Sequence, residues 1–170
     1  MQEMNTVTAT PWKQLLLHAL EANSHLTHSL FFQLASVGAN GKPANRTVVF
    51  RGFQDETDKI QINTDCRTRK IEDLKHCPFA EQREKSWFAS SFKSRLQYLG
   101  PDPGIPSITE EVPKDFSLDP SAGPVDAFCL LVLDPDQVDY LNLKTNTRLT
   151  YRCHRNLNEE KCWTPEKINP

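Results

Sequence analysis

The chain lacks the long apolar segments and strong charge bias that mark membrane and nucleic-acid-binding proteins. No hydrophobic run approaches the ~20 residues that a membrane-spanning helix needs. The net charge is −2 and the sequence pI is near 6.2, which argues against nucleic acid as the main partner. The first ten residues contain Glu3 but no basic or apolar block, unlike a secretory signal or a transit peptide. We therefore expect a cytoplasmic protein; a plastid location would need a targeting extension.

Cysteine is sparse and follows no recognised pattern. The count is odd and no CxxC pair occurs, so we expect reduced thiols rather than a disulfide framework. The neighbours His76 and Cys77 could be combined with Cys66, but this spacing matches no zinc motif, and no metal site is predicted. The five cysteines are Cys66, Cys77, Cys129, Cys153 and Cys162.

Hydrophobic periodicity predicts one α+β domain over residues 1–170, mainly β, with an antiparallel barrel-like sheet and peripheral helices. Proline (12) outnumbers glycine (6), and most prolines follow Gly100, which predicts a surface loop over Pro101–Pro124. The predicted helices are Thr10–Asn23 with Thr10 as N-cap, Arg67–His76, and Gln82–Leu99. The predicted strands are Leu30–Val37, Ala44–Phe53, Lys59–Thr64, Phe128–Leu133, Val138–Leu143, Arg148–Arg152 and a short one near Trp163, with a hairpin turn at Ala39–Lys42.

Positive charges concentrate in one stretch of the sequence. Arg46 and Arg51 lie in a β-branched strand, and Arg67, Arg69 and Lys70 open the helix that follows the next strand. Cations at a helix N-terminus repel its partial positive charge unless an anion sits there, and guanidinium groups and free N–H groups favour phosphate. The residues alone leave two interpretations open, a phosphate site or a solvated basic edge.

The order of these segments resembles the pyridoxamine 5′-phosphate oxidase family of FMN-binding split-barrel proteins, in particular a plant-type branch. The resemblance rests on Arg46-Thr47-Val48-Val49-Phe50-Arg51, on Ile62-Asn63-Thr64, and on Arg69-Lys70 at a helix start. The segments Val138–Leu143 and Cys162–Pro170 are also similar to this branch. The resemblance extends over nearly the whole chain and implies an antiparallel FMN-binding split β-barrel.

The resemblance implies a role for each matched residue. Asn63 and Thr64 would hydrogen-bond the flavin or its ribityl chain, and Arg69 and Lys70 would hold the FMN phosphate. Arg51 stands where the family more often has a substrate-facing lysine, so it would contact both cofactor and substrate with a different geometry. The implied cofactor-binding set is Arg46, Val48, Val49, Arg51, Asn63, Thr64, Arg69, Lys70 and Arg148.

One departure from the family pattern is internal. In relatives, the equivalent of Cys77–Glu81 leads into an aromatic-rich strand and then a strand with a flavin-contacting glutamine. Here Glu81 passes directly into Gln82 and the later helix, so about two strands and their turn are missing, as in a splice variant or a mis-spliced gene model. We expect this loss to leave the barrel incomplete, with unpaired strand edges.

The implied reaction is the FMN-dependent oxidation of pyridoxamine or pyridoxine 5′-phosphate to pyridoxal 5′-phosphate, with O₂ as acceptor. The flavin carries the chemistry, so no catalytic side chain is predicted, and the implied partners are a phosphorylated B6 vitamer and a second copy of the chain in a homodimer. The family's Arg-x-His substrate motif is not evident at Lys144–Thr147. Two alternatives stay open: a shortened or inactive form that binds FMN or a B6 phosphate without turnover, and an unrelated protein with a basic edge.

Overall fold

The computed structural model describes residues 10–37, 41–73, 80–104 and 118–170. Parts of three predicted features lie outside these residues: the hairpin turn, the end of the helix predicted over Arg67–His76, and the proline-rich loop. None of its helices is long and apolar enough to span a bilayer. The helices are α1 (Pro11–Ala22), α2 (Arg69–Asp73), α3 (Ala80–Ala89) and α4 (Phe92–Leu96), and a 3₁₀ turn (Gln97–Leu99) follows α4. The strands are β1 (Phe31–Val37), β2 (Pro43–Val49), β3 (Ile60–Asp65), β4 (Phe128–Leu133), β5 (Gln137–Asn142), β6 (Thr147–Arg155) and β7 (Lys161–Ile168).

The strands form three separate sheets within two compact units. The first unit contains residues 1–30, 53–60 and 133–170, and the second contains residues 31–52 and 61–132. The sheet β5–β6–β7 belongs to the first unit, while β1–β2 and almost all of β3–β4 belong to the second. The predicted mainly β, α+β class with antiparallel pairing is confirmed, and among the described strands the sheets do not close into a barrel.

The core of the first unit is an aromatic cluster around Trp12. Its ring is 4% exposed and meets Phe53 and Trp163 edge-on, at centroid distances of 5.8 and 5.5 Å. Asp58 accepts hydrogen bonds from Trp163 Nε1 and from Thr10 Oγ1, both at 2.9 Å. Thr10 occupies the predicted N-cap position, but its hydroxyl serves Asp58 and caps no backbone N–H of α1.

The core of the second unit forms where α3 and α4 hold the chain that leads into β4. Trp87, Phe128 and Leu118 are buried together. Trp87 Nε1 donates to the Ala122 carbonyl at 3.0 Å, and Arg95 Nη1 donates to the Pro120 carbonyl at 3.0 Å. These bonds satisfy carbonyls of an irregular segment that no strand partner reaches, and so they fix the entry into β4.

The predicted helix over Gln82–Leu99 is interrupted in the structure. Ser91 is extended, and its side chain accepts the Ser94 N–H at 3.2 Å, so it acts as the N-cap of α4. Ser90 Oγ donates back to the Ser86 carbonyl at 3.0 Å, where α3 ends. The apolar spacing on the two sides of the break is compatible with one helix. Periodicity alone therefore predicts a single helix that continues through it.

The predicted strand Ala44–Phe53 is also shorter in the structure, because β2 ends at Val49. The backbone N–H of Arg51 donates to the Gln61 carbonyl, and the Gln61 N–H donates to the Gly52 carbonyl, both at 2.9 Å. Two residues therefore oppose one, which is a β-bulge. Gly52 has φ +109°, a conformation that side chains rarely adopt, so glycine is required at this bend.

Helix α3 runs across the predicted junction between Glu81 and Gln82. The residues on the two sides of the junction belong to the same ten-residue helix, Ala80–Ala89. The chain that precedes the predicted junction therefore supplies only the first two residues of this helix, Ala80 and Glu81.

Candidate functional site

Arg46 and Val48 share one face of the β1–β2 sheet. The register places Arg46 opposite Leu34 and Val48 opposite Phe32, so the two side chains alternate with those of Thr47 and Val49. Val48 is buried and Arg46 is half-buried. The Nη1 atom of Arg46 donates to Ser36 Oγ on β1 at 2.6 Å, which fixes the guanidinium above the sheet.

Lys70 lies on α2, which contacts β1. Its Nζ atom donates to Thr68 Oγ1 at 3.0 Å. Burial lowers the pKa of Lys70 below the usual lysine value, and the nearby positive charge of Arg46 lowers the pKa further. Two cations from different elements are thus held close enough to repel, and one of them has lost part of its hydration.

Asp65 and Arg67 shape the turn between β3 and α2. The Nε and Nη2 atoms of Arg67 donate to the two carboxylate oxygens of Asp65 at 2.9 and 2.6 Å, and the backbone N–H of Arg67 adds a bond at 2.9 Å. Arg67 Nη1 reaches Asp102 at 2.8 Å and the Gly100 carbonyl at 3.1 Å. Burial raises the pKa of Asp65, but the hydrogen bonds and charge of Arg67 outweigh it, and the pKa lies below the usual range.

The two predicted flavin contacts on β3 differ in how their polar atoms are used. Thr64 is 4% exposed, and its Oγ1 has no hydrogen-bond partner within the described ranges. Asn63 Oδ1 accepts from Ser86 Oγ at 2.6 Å, and its Nδ2 donates to Ser90 Oγ at 2.9 Å. A buried hydroxyl without a partner is uncommon and points to an unfilled interaction, whereas the Asn63 amide ties β3 to α3.

The other four predicted site residues differ from Arg46 and Lys70 in one of three ways. One faces the other side of its sheet, two are exposed, and one belongs to the first unit. Val49 faces the other side of β1–β2, opposite Phe31. Arg51 and Arg69 are exposed. Arg148 belongs to the first unit, on β6, where it grips Asp139 with both Nε and Nη2, the latter at 2.6 Å.

The two cations and the buried hydroxyl of the second unit are groups that suit the binding of a phosphate monoester. A dianion near Arg46 and Lys70 would neutralise their mutual repulsion and offset the desolvation of Lys70. The unsatisfied Thr64 hydroxyl adds a donor or acceptor within the same unit. Within the described part of the chain, no group of three His, Cys, Asp or Glu side chains could hold a metal ion.

A protein-family model for the FMN-binding domain of pyridoxamine 5′-phosphate oxidase matches residues 9–98. The chain belongs to the pyridoxamine 5′-phosphate oxidase family. The matched region includes β1, β2, β3 and α2, and therefore eight of the nine predicted cofactor-binding residues. The predicted resemblance to this FMN-dependent oxidoreductase family is confirmed.

Relatives support the same family assignment over nearly the full length. The chain is 52% identical to Arabidopsis thaliana pyridoxine/pyridoxamine 5′-phosphate oxidase 2, covering 94% of this chain and 97% of that protein. The structure of a pyridoxamine 5′-phosphate oxidase-related, FMN-binding protein from Nostoc punctiforme matches with a TM-score of 0.82 and 33% identity, covering 96% of this chain and all of that one. PhzG from Burkholderia lata, with 13% identity and a TM-score of 0.60, shows the shared fold alone.

The Arabidopsis alignment contains large gaps. It extends over 192 residues, whereas 94% of this 170-residue chain is about 160 residues. About 30 positions of the alignment therefore have no counterpart in this chain. This is more than two strands and a short turn need. That they fall between Glu81 and Gln82 stays a prediction.

Sequence reasoning did not assign Arg67 its partners or find the residues that orient the two cations. Ser36 orients Arg46, and Thr68 orients Lys70. The spacing Asp65-x-Arg67 was the available signal for a local ion pair, but a carboxylate two residues away in a turn predicts contact only when the turn geometry is known. The Ser36 contact depends on strand register, which the sequence does not specify residue by residue.

Proposed function

We propose that this protein binds FMN and oxidises pyridoxamine or pyridoxine 5′-phosphate to pyridoxal 5′-phosphate, with O₂ as the acceptor. The observation that carries the proposal is that Arg46, paired opposite Leu34 of β1, and the half-buried Lys70, on the helix that contacts β1, lie in the same unit, where the charge of Arg46 acts on Lys70. The family match supports FMN as the source of that anion.

The phosphate of FMN would be held by Lys70 and Arg46, with Arg69 adding charge at the exposed rim. Thr64 would hydrogen-bond the flavin or its ribityl chain. Val48 would pack against the cofactor with its side chain, and Val49, which faces the other side of the sheet, would contact it through its backbone. FMN, held by these residues, would supply the oxidising chemistry. The protein's own residues would position the cofactor and the substrate and exclude water. Arg51, as an exposed charge, would attract the substrate phosphate.

We propose that residues 1–170 act as one FMN-binding domain in a cytoplasmic homodimer. The support is the family resemblance, in which the active site forms at the interface between two subunits. Arg148 would complete the cofactor site, although its guanidinium is engaged with Asp139 in the free chain. Asn63 would contact the flavin only by exchanging its bonds to Ser86 and Ser90.

A second function is favoured by the gaps in the Arabidopsis alignment. A chain without about 30 residues of its relative could bind FMN or a B6 phosphate through the Arg46–Lys70 side and yet lack turnover. Grafting the unmatched segment of the Arabidopsis relative between Glu81 and Gln82 separates the two proposals. Turnover only in the grafted chain favours the binding protein, and equal turnover in both favours the oxidase.

The first test is the visible spectrum of the purified protein after incubation with FMN and desalting. Retained flavin bands, followed by oxidation of pyridoxamine 5′-phosphate with O₂ uptake, are the expected results. Riboflavin, which lacks the phosphate, is the matched control and should be lost on desalting. A folded protein that stays colourless would refute both FMN-dependent functions.

A further inference from the structure

Asp65 is a negatively charged neighbour of Lys70 and would compete with a bound phosphate for the lysine. The charge of Asp65 acts on Lys70, and the charge of Lys70 in turn lowers the pKa of Asp65. Yet the Nζ atom of Lys70 donates to Thr68 Oγ1 rather than to the carboxylate. The Thr68 hydroxyl in turn donates to the Asp65 backbone carbonyl at 2.7 Å, so a single side chain links Lys70 to Asp65, whose carboxylate would ordinarily attract a lysine ammonium on a flexible stem.

Arg67 removes Asp65 from that competition. It occupies both carboxylate oxygens with its planar fork, at 2.9 and 2.6 Å, and its own backbone N–H binds Oδ1 as well. The fork is in turn fixed from the other side by Asp102 and by the carbonyls of Gly100 and Tyr98. A guanidinium held from two sides loses little by staying on Asp65, whereas a lysine would have to displace it.

We propose that Arg67 is a positioning residue that shields Lys70 from Asp65 and so keeps the lysine available for the FMN phosphate. Without Arg67, Lys70 pairs with Asp65, its charge is neutralised within the protein, and the phosphate loses a partner. Arg67 itself touches no cofactor. The inference rests on the proposed FMN function, because it explains how the phosphate site is kept open.

This role of Arg67, called the shield below, predicts an unusual pattern of FMN affinities among variants of Arg67 and Asp65. Arg67→Met should weaken FMN binding about tenfold, within the range of a lost charge-assisted hydrogen bond, and leave riboflavin binding unchanged. Asp65→Asn combined with Arg67→Met should return the FMN affinity to within about twofold of the unmodified protein, because no carboxylate remains to capture Lys70. A residue with a purely structural role would make the double variant worse than either single one.

Dissociation constants for FMN and riboflavin, measured by flavin fluorescence quenching in the full-length chain, test this pattern. Asp102→Asn is the matched control: it removes the charge of one exposed partner of Arg67 but leaves the bonds of Arg67 to Asp65 and to the Gly100 and Tyr98 carbonyls, so FMN affinity should stay within about twofold. Asp65→Asn alone keeps the turn's Oδ1 acceptor and should bind FMN at least as tightly as the unmodified protein, which tests the shield even if Arg67→Met does not fold.

The outcomes separate the two proposals. If the unmodified protein binds FMN no more tightly than riboflavin, the phosphate site itself is refuted, and the shield with it. If it prefers FMN but Asp65→Asn weakens that preference, or the double variant stays as weak as Arg67→Met, only the shield is refuted.

Discussion

Asn63 and Ser86 are joined by a 2.6 Å hydrogen bond that ties β3 to the helix crossing the predicted junction. Ser86 is 8% exposed, so the bond is shielded from water. The contact therefore holds together two elements of the second unit. It also occupies an amide that the family resemblance assigns to the flavin.

Ser86→Ala should lower the free energy of unfolding by about 1–3 kcal/mol, because it leaves the Asn63 carbonyl oxygen without its donor. Urea unfolding followed by far-ultraviolet circular dichroism measures this change. Ser24→Ala, at an exposed position after α1, is the control and should change stability by less than about 0.5 kcal/mol. Equal stability of Ser86→Ala and the unmodified chain would show that the bond is dispensable.

Lys70→Met should weaken FMN binding by about 10- to 100-fold, the range for loss of a charge-assisted hydrogen bond to phosphate. Riboflavin affinity should not change, since riboflavin has no phosphate. Isothermal titration calorimetry with both flavins measures the difference. Lys85→Met, on the exposed side of α3, is the matched control. Parallel loss of FMN and riboflavin affinity would contradict the assignment of Lys70 to the phosphate.

As the pH rises, FMN affinity should begin to fall at a lower pH than it would if a lysine with the usual pKa held the phosphate. Burial and then Arg46 lower the pKa of Lys70 in the free protein from its usual 10.5, whereas a bound phosphate favours the protonated form. Binding therefore takes up a proton above the lowered pKa and weakens as the pH climbs through it. Titrations between about pH 7 and 10 lie above the second phosphate pKa of about 6, so the phosphate stays dianionic throughout. Lys70→Arg should flatten the profile; an unchanged slope would assign the effect elsewhere.

Trp163→Phe should destabilise the protein by about 1–3 kcal/mol. The change keeps an aromatic ring against Trp12 but removes the Nε1 donor to Asp58, which then retains only Thr10 from this pair of bonds. Thermal unfolding monitored by circular dichroism measures the loss. Leu157→Ala, at a fully exposed position, is the comparison and should leave the midpoint in place. A Trp163→Phe midpoint equal to that of Leu157→Ala would show that this bond adds no stability.

The sequence was sufficient for most elements and for the family. The sequence predicted all seven described strands, some from alternation and β4 from its continuous apolar run, and the family motifs predicted the region around Arg46 and Lys70. The last two strands, β6 and β7, are longer than predicted, and two other boundaries depend on local geometry. The break at Ser91 depends on a capping bond, and the end of β2 depends on the bulge at Gly52, and both are local geometries that apolar periodicity does not record.

The same limit applies to the site. Charge clustering predicted an anion site but could not show which of the cations form ion pairs within the protein. Arg67 and Lys70 are three residues apart and look equivalent in the sequence, yet the structure pairs the first with Asp65 and leaves the second beside Arg46. That separation depends on side-chain geometry in a turn, which spacing alone does not determine.

The placement of α3 across the junction at Glu81 has a consequence for how gene rearrangement can be tolerated. A helix closes its backbone hydrogen bonds among its own neighbouring residues, so a new stretch of chain can be joined at its first turn without a distant partner. A cut inside a strand would instead orphan the donors and acceptors of the strand beside it. A junction at the predicted position would thus be a modular boundary, at which coding segments can be exchanged while the interior of the helix keeps its own register.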